Sequence, residues 1–160
     1  MSFSVREAAT DDDWSQGLEV LARVYVGEGH SEPSRAQLFY RRDVLEHEGT
    51  FLVAVMKGRV IGAVLLLNAD STMRQVARAG EREFRVLAVL PEARGAGAGK
   101  ALVEACIERV GGADGLVLWT RPVMLAAQRL YDRLGFMRAP DRDAADPRGF
   151  TRLVYRIQLA

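Results

Sequence analysis

The chain has 160 residues, within the roughly 100–200 expected of one domain, and at that size a compact domain hides about two thirds of its unfolded surface without metal or disulfide staples. Its 22 Lys and Arg against 21 Asp and Glu leave a formal net charge of +1, which excludes a long-range pull toward nucleic acid or an anionic membrane, and 49% hydrophobic residues exclude intrinsic disorder. Apolar runs such as Ala63–Leu67 fall far short of the ~20 residues of a membrane helix, and Asp11, Asp12 and Asp13 stand where a secretion signal needs an apolar stretch, so the expected location is the cytoplasm.

In chain order, Val5-Arg6-Glu7-Ala8 alternates as a first strand. Thr10 and Asp13 form a capping box, and Trp14, Leu18, Leu21, Ala22 and Tyr25 then repeat at helical spacing. After the flexible Gly27-Glu28-Gly29-His30, the pattern predicts a second helix from a cap at Ser34 to about His47. Phe51–Val55 and Val60–Leu67 are apolar strands joined by the turn Lys57-Gly58, a hairpin. Residues 68–82 are polar without a period and read as a loop. A strand Phe84–Leu90 runs into the glycine-rich Arg94–Gly99, which opens an amphipathic helix reaching about Val110. Gly115–Thr120 is a further strand, Ala126–Leu134 a short helix closed by Gly135, and Phe136–Arg138 and Arg152–Gln158 are closing strands. Residues 1–160 read as one domain without repeats or an internal linker.

The turn from Pro91 to Lys100 carries the most chemistry. A helix start leaves free backbone N–H groups and a partial positive charge, both favourable to phosphate. Gly95, Gly97 and Gly99 let that backbone approach an anion closely, and Arg94 adds a permanent positive charge beside it. A phosphate-bearing cofactor follows. A Walker-type loop ending at Gly99-Lys100 requires glycine at position 94 and Ser or Thr at 101, where Arg94 and Ala101 stand. A dinucleotide fingerprint starting at Gly95 requires glycine at position 100, which is Lys100. R-x-x-G-x-G, with Arg94, Gly97 and Gly99, fits.

With Val89-Leu90-Pro91 before it, this stretch resembles the signature of the GNAT acetyltransferase superfamily, Q/R-x-x-G-x-G/A after a strand that often ends V-x-P. Ala127-Gln128-Arg129-Leu130-Tyr131-Asp132-Arg133-Leu134-Gly135-Phe136 resembles the family's A-x-x-L-Y-x-x-L-G-F block, and the hairpin at Lys57–Gly62 resembles its second and third strands. The resemblance spans roughly Thr50 to Phe136. It implies an α+β fold with a mixed, mostly antiparallel sheet of about six or seven strands flanked by helices. It also implies acetyl-CoA as cosubstrate, held by Leu87, Ala88, Val89, Arg94, Gly95, Ala96, Gly97, Ala98, Gly99 and Lys100. The activity implied is transfer of acetyl to a primary amine, on a small molecule or peptide, by direct attack in a ternary complex. A backbone N–H near Val89 would meet the oxyanion, and the pantetheine arm would pair with Leu87 and Val89 like an added strand. Met124 departs from the pattern, standing where many members carry a cofactor-contacting Asn.

Tyr131 is then the candidate general acid for the departing thiolate, although Ala127, Leu130, Tyr131 and Leu134 also form an apolar stripe that suits a core residue. Glu83 is the candidate base by resemblance, with Glu81 a weaker substitute. His30, near the presumed acceptor mouth, titrates in a useful range. Cys106, mid-helix among Val103 and Ile107, reads as a buried structural thiol. One cysteine and two separated histidines suggest no metal site. No nucleic-acid or membrane partner is expected, and a homodimer is compatible with the reading. The alternative function is a CoA-binding sensor that keeps the cradle without turnover; a nucleotide-binding protein is weakened by the failed motif counts.

Overall fold

The computed structural model describes residues 2–32 and 37–159. Its elements are β1 (Ser4–Glu7), α1 (Asp11–Leu21), α2 (Arg42–Glu48), β2 (Gly49–Met56), β3 (Arg59–Leu67), β4 (Glu81–Val89), α3 (Ala98–Glu108), β5 (Gly115–Thr120), α4 (Leu125–Arg133), β6 (Met137–Arg138), β7 (Ala144–Ala145) and β8 (Thr151–Gln158). The strands form one sheet in the order β1-β2-β3-β4-β5-β8-β6, with β7 paired to β8. All neighbours are antiparallel except β4 and β5. This is the expected α+β class, with one further short strand, β7, bringing the strand number to eight.

Local chemistry starts these elements where the sequence places them. Thr10 Oγ1 accepts from the Asp13 N–H at 3.0 Å, and the Asp13 carboxylate accepts from the Thr10 N–H at 3.1 Å, a complete capping box of about 1 kcal/mol. The same carboxylate accepts a pair of hydrogen bonds from Arg6, and this guanidinium holds Asp13 well below the usual carboxylate range. Lys57 (φ 51) and Gly58 (φ 75) are both left-handed, the conformation a two-residue hairpin loop needs to follow the strand twist.

Helices cover both faces of the sheet. A Cβ added at Gly17 of α1 would come within 2.6 Å of the Phe51 ring and 3.3 Å of Val53, so α1 lies directly on that face. Val53 pairs with Ala63, and the residue beside it, Gly62, turns to the opposite face, where Leu102 of α3 approaches. Trp14 stacks on Phe51 at 4.9 Å, and Leu21, Leu52, Val64, Leu66, Leu102 and Cys106 are fully buried between the layers. Burying a Leu or Ile side chain contributes about 1.5–3 kcal/mol, so these layers dominate stability. Among the described residues, no helix is long and apolar enough to cross a membrane.

Three sequence expectations are corrected. The continuous helix from Ser34 to His47 is not formed: Ser34 lies outside the described residues, residues 37–39 form a helical turn, and the chain opens at Arg41 (φ −127, ψ 139) before α2 begins. That opening leaves Tyr40 in the cavity described below, 6.1 Å from the Tyr25 ring. The first helix does reach past Tyr25, but its last turn, Ala22–Val26, is a π-helix that changes the direction its side chains take. β4 begins at Glu81 rather than Phe84, because Glu81, Arg82 and Glu83 pair in parallel with Gly115, Leu116 and Val117. Charged residues there suggest a loop, yet the structure buries Glu81 and Glu83 among hydrogen-bond donors.

Candidate active site

The parallel ladder between β4 and β5 stops at Glu83 and Val117; beyond it the two strands diverge. In the diverging part, Ala63 pairs with Ala88 but Leu65 with Arg85, so β4 carries an extra residue, a bulge. Val86 takes φ 58 there, costly for a β-branched side chain by about 1–3 kcal/mol. The bulge turns β4 away from β5. Two hollows open in the gap, and they meet at His30, Leu87 and Met124, which line both.

The larger hollow, of about 950 Å³, runs between the glycine-rich turn and α4. Nine of the ten residues expected to hold the cosubstrate line it, Leu87, Ala88, Val89, Arg94, Gly95, Gly97, Ala98, Gly99 and Lys100; Ala96 does not. Gly97 is the N-cap of α3 at φ 91 and Gly95 sits at φ 89, and a Cβ on either would stand in open space with nothing within 4 Å. A phosphate group fits such a surface: bare backbone, a helix start and room for close approach. Bound acetyl-CoA would supply an activated acetyl thioester there.

Charge in this cleft differs from the sequence expectation in one respect. Arg94 gives Nε to the Val89 carbonyl at 3.1 Å and Nη2 to Glu28 at 2.9 Å, so its charge is shared across the cleft. Lys100 and Arg133 also line the cleft and have no ion-pair partner among the described residues. Sequence reasoning does not reach Arg133, near the end of α4, because nothing local distinguishes it from any exposed helical arginine. The carbonyls of Leu87 and Val89 are also engaged, Leu87 accepting from the Tyr25 hydroxyl at 2.8 Å. An arm pairing there shares these oxygens with Tyr25 and Arg94 or displaces them.

The smaller hollow, of about 290 Å³, lies on the other side of the seam. Tyr131 lines it, held by rings of Tyr155 at 5.6 Å, Phe136 at 5.8 Å and Phe84 at 6.1 Å. Its hydroxyl makes no hydrogen bond among the described residues, and burial pushes its pKa up, so it stays a protonated phenol at neutral pH. His30 faces both hollows; burial first, then the charge of Arg121, lowers its pKa below the ordinary 6.5, leaving a neutral imidazole at neutral pH.

Glu83 sits elsewhere. It is 1% exposed and lines neither hollow. One oxygen accepts from the N–H groups of Gln75, Val76 and Ala77 at 3.1, 3.0 and 2.9 Å, and the other from Gln75 at 3.2 Å. A carboxylate clasped by three backbone donors is an anchor for the segment before β4, which brings Thr72, Met73 and Gln75 to the wall of the smaller hollow. Its assignment as base is therefore corrected. Glu81 is likewise spent: burial favours its neutral form, but hydrogen bonds from Arg142, the Arg78 N–H and Arg156 outweigh this and lower it to about 2. Cys106 is buried and its thiol is pushed up to about 12 by burial, which removes it as a nucleophile.

Residues 14–136 match the model of the acetyltransferase (GNAT) family. The chain belongs to that family. The N-acetylaspartate synthetase of Danio rerio is 30% identical over 127 residues, 77% of this chain but 41% of that protein, so the chain spans less than half the length of this curated relative. Among solved structures, the PaiA N-acetyltransferase of Thermoplasma acidophilum in complex with coenzyme A superposes with a TM-score of 0.75 at 19% identity, covering 99% of this chain and 100% of that one. The ribosomal-protein-S18-alanine N-acetyltransferase of Escherichia coli gives 0.70 at 17% identity, covering 99% and 95%. These structures share the GNAT fold with the chain. In this GNAT chain Met124 is the N-cap of α4 without a side-chain capping bond, and it stands at the seam of the two hollows.

Proposed function

We propose that the protein transfers the acetyl group of acetyl-CoA to the primary amine of a small acceptor while both are bound. The observation that carries this reading is the seam. A glycine-cradled cleft and a smaller cavity share, among the described residues, only His30, Leu87 and Met124, so a thioester in one and an amine in the other meet at one place. The zebrafish relative, named for synthesis of N-acetylaspartate, supports an amine as the acceptor.

His30 takes the amine proton, since a neutral imidazole is the group at the seam able to do so. Tyr131 donates its phenolic proton to the sulfur as the C–S bond breaks and the C–N bond forms. The proton on His30 returns to Tyr131 through solvent. Holding both reactants in one geometry supplies much of the acceleration.

The test reads free CoA thiol from acetyl-CoA in the presence of an amine panel, with thermal shifts recorded in parallel. CoA at about 100 times its dissociation constant is expected to add roughly 2.7 kcal/mol of stability. Stabilisation by ATP or NAD but not by CoA sinks the cofactor assignment. Binding of CoA with no thiol release for any amine favours a sensor over an enzyme.

A further inference from the structure

The smaller hollow is lined by Arg85, Arg121 and Arg148 and, among the described residues, by no Asp or Glu. These guanidiniums are mounted on two stacked rings, Trp119 and Phe150, whose centroids are 5.9 Å apart. Arg121 lies 4.1 Å and Arg148 4.9 Å from the Phe150 centroid, while Arg152 and Arg85 lie 5.0 and 6.0 Å from that of Trp119. Four like charges gathered on one aromatic pair repel one another, more so where water is thin.

Two carboxylates are near, and neither forms an ion pair with Arg85 or Arg121. Asp146 is divided between Arg148 at 2.9 Å and Arg152 at 3.0 Å. Glu83, two residues from Arg85 on β4, is clasped by backbone N–H groups. Arg85 and Arg121 have no ion-pair partner among the described residues; each gives only one long hydrogen bond to a carbonyl, to Met73 at 3.3 Å and to His30 at 3.4 Å. The Nε of Arg121 is buried with no hydrogen-bond partner among the described residues. A buried donor left unpaired is destabilising, and unpaired guanidinium forks match carboxylates bidentately. The phosphates of the cosubstrate do not account for this charge, because the glycine cradle lies across the seam.

We propose that the acceptor is a small anionic amine, an amino acid with a carboxylate on its side chain as well as at its α-carbon, held through those carboxylates by Arg121 and Arg85 with its amine at the His30 seam. This deepens the acetyl-transfer reading and rests on it only for where the amine points. The volume of about 290 Å³, at the low end of small-molecule sites, suits one amino acid rather than a peptide.

The experiment compares L-aspartate and L-glutamate with L-asparagine and L-glutamine, which keep the shape and lose one charge, and with putrescine. The acidic acceptors are expected to exceed both other groups in kcat/KM by roughly 10- to 100-fold, the scale of one charge-assisted hydrogen-bond pair. Arg121→Gln and Arg85→Gln are each expected to collapse that ratio through the acceptor KM, with CoA affinity by calorimetry unchanged and reporting an intact fold. Equal rates for aspartate and asparagine, or a preference for putrescine, overturn the proposal while acetyl transfer stands. Where no amine is turned over, L-aspartate titrated into the CoA complex decides. Binding weakened by Arg121→Gln upholds the anion site while the transfer reading falls, and no binding overturns the site.

Discussion

Around Gly95, Gly97 and Ala98 the wall of the larger cleft is backbone, contributed by one stretch of chain; around Trp119 and Phe150 the wall of the smaller cavity is side chain, contributed by β4, the end of β5 and the segment before β8. A backbone wall reads a feature common to every phosphate ester and tolerates little change in its own residues. A side-chain wall reads charge and shape. On the proposed assignment, the cosubstrate is met by backbone and the acceptor by side chains. His30 lines both, whereas Tyr131 lines the smaller cavity.

The largest effect should come from Gly97→Val. A left-handed φ of 91 at a β-branched residue costs about 1–3 kcal/mol, and the new side chain fills the space a phosphate needs. CoA affinity is expected to fall by more than about 100-fold, a loss of some 2.7 kcal/mol or more, while acceptor binding persists in the folded variant. If calorimetry finds CoA affinity intact, the backbone cradle is wrong; if acceptor binding vanishes as well, the two walls are not independent.

Tyr131→Phe comes next. Its ring contacts with Phe84, Phe136 and Tyr155 survive, and the lost hydroxyl has no hydrogen bond to forfeit among the described residues, so stability is expected to stay within about 1 kcal/mol. The fall belongs in kcat, on the order of 100-fold, with both dissociation constants unchanged. Equal kcat for variant and wild type, where chemistry limits the rate, makes Tyr131 a core residue.

Glu83→Gln separates anchoring from catalysis. The amide puts a donor against three backbone N–H groups, so a loss of roughly 1–3 kcal/mol is expected. The wall carrying Gln75, whose Oε1 accepts from Trp119 Nε1 at 2.7 Å, loosens with it. The acceptor KM is expected to rise by about tenfold with CoA affinity unaffected, one such hydrogen-bond-scale change. A kcat collapse at unchanged KM and stability restores Glu83 as the base.

The smallest effects are those of pH. Glu81 has a folded value of about 2 against an ordinary 4.5, so its ionised form favours the native state. That stability is full above pH 4.5 and lost as pH falls toward 2. Denaturation across this window should be less steep in Glu81→Gln, and an identical slope would show that Arg142 and Arg156 gain nothing from the charge. Catalysis has its own limb. His30, depressed below 6.5, is expected to set an acid limb of kcat/KM under pH 6.5, absent in His30→Gln.

Much of the architecture is legible in the amino-acid sequence. The capping box at Thr10, the left-handed pair Lys57-Gly58, the glycine turn into α3 and the Leu130-Tyr131 helix closed by Gly135 each depend on contacts within a few residues, and local chemistry settles those. The splay of β4 from β5 is implied only by the family resemblance; its physical cause, the bulge at Val86, has no mark in an ordinary Val-Leu-Ala-Val strand. Glu83 is a candidate base only through the resemblance, and its clasp is not legible because its three donors come from a separate segment with no recognisable pattern. Tyr25 shows in the sequence as helical spacing, but the π-turn that carries its hydroxyl to Leu87 does not.

By itself the sequence determined the glycine-lined start of α3, because a helix start with bare neighbouring backbone N–H groups must be written in closely spaced glycines. The tertiary structure alone decided the charge of the smaller cavity. Arg85, Arg121 and Arg148 are dispersed among 22 basic residues in a chain of net charge +1. Only the folding of β4 and β5 with the loop ahead of β8 brings their guanidiniums onto two rings and leaves two of them without an ion-pair partner among the described residues. Local signals are carried by covalent neighbours; an electrostatic site is a sum over distances, and those exist only once the chain is folded.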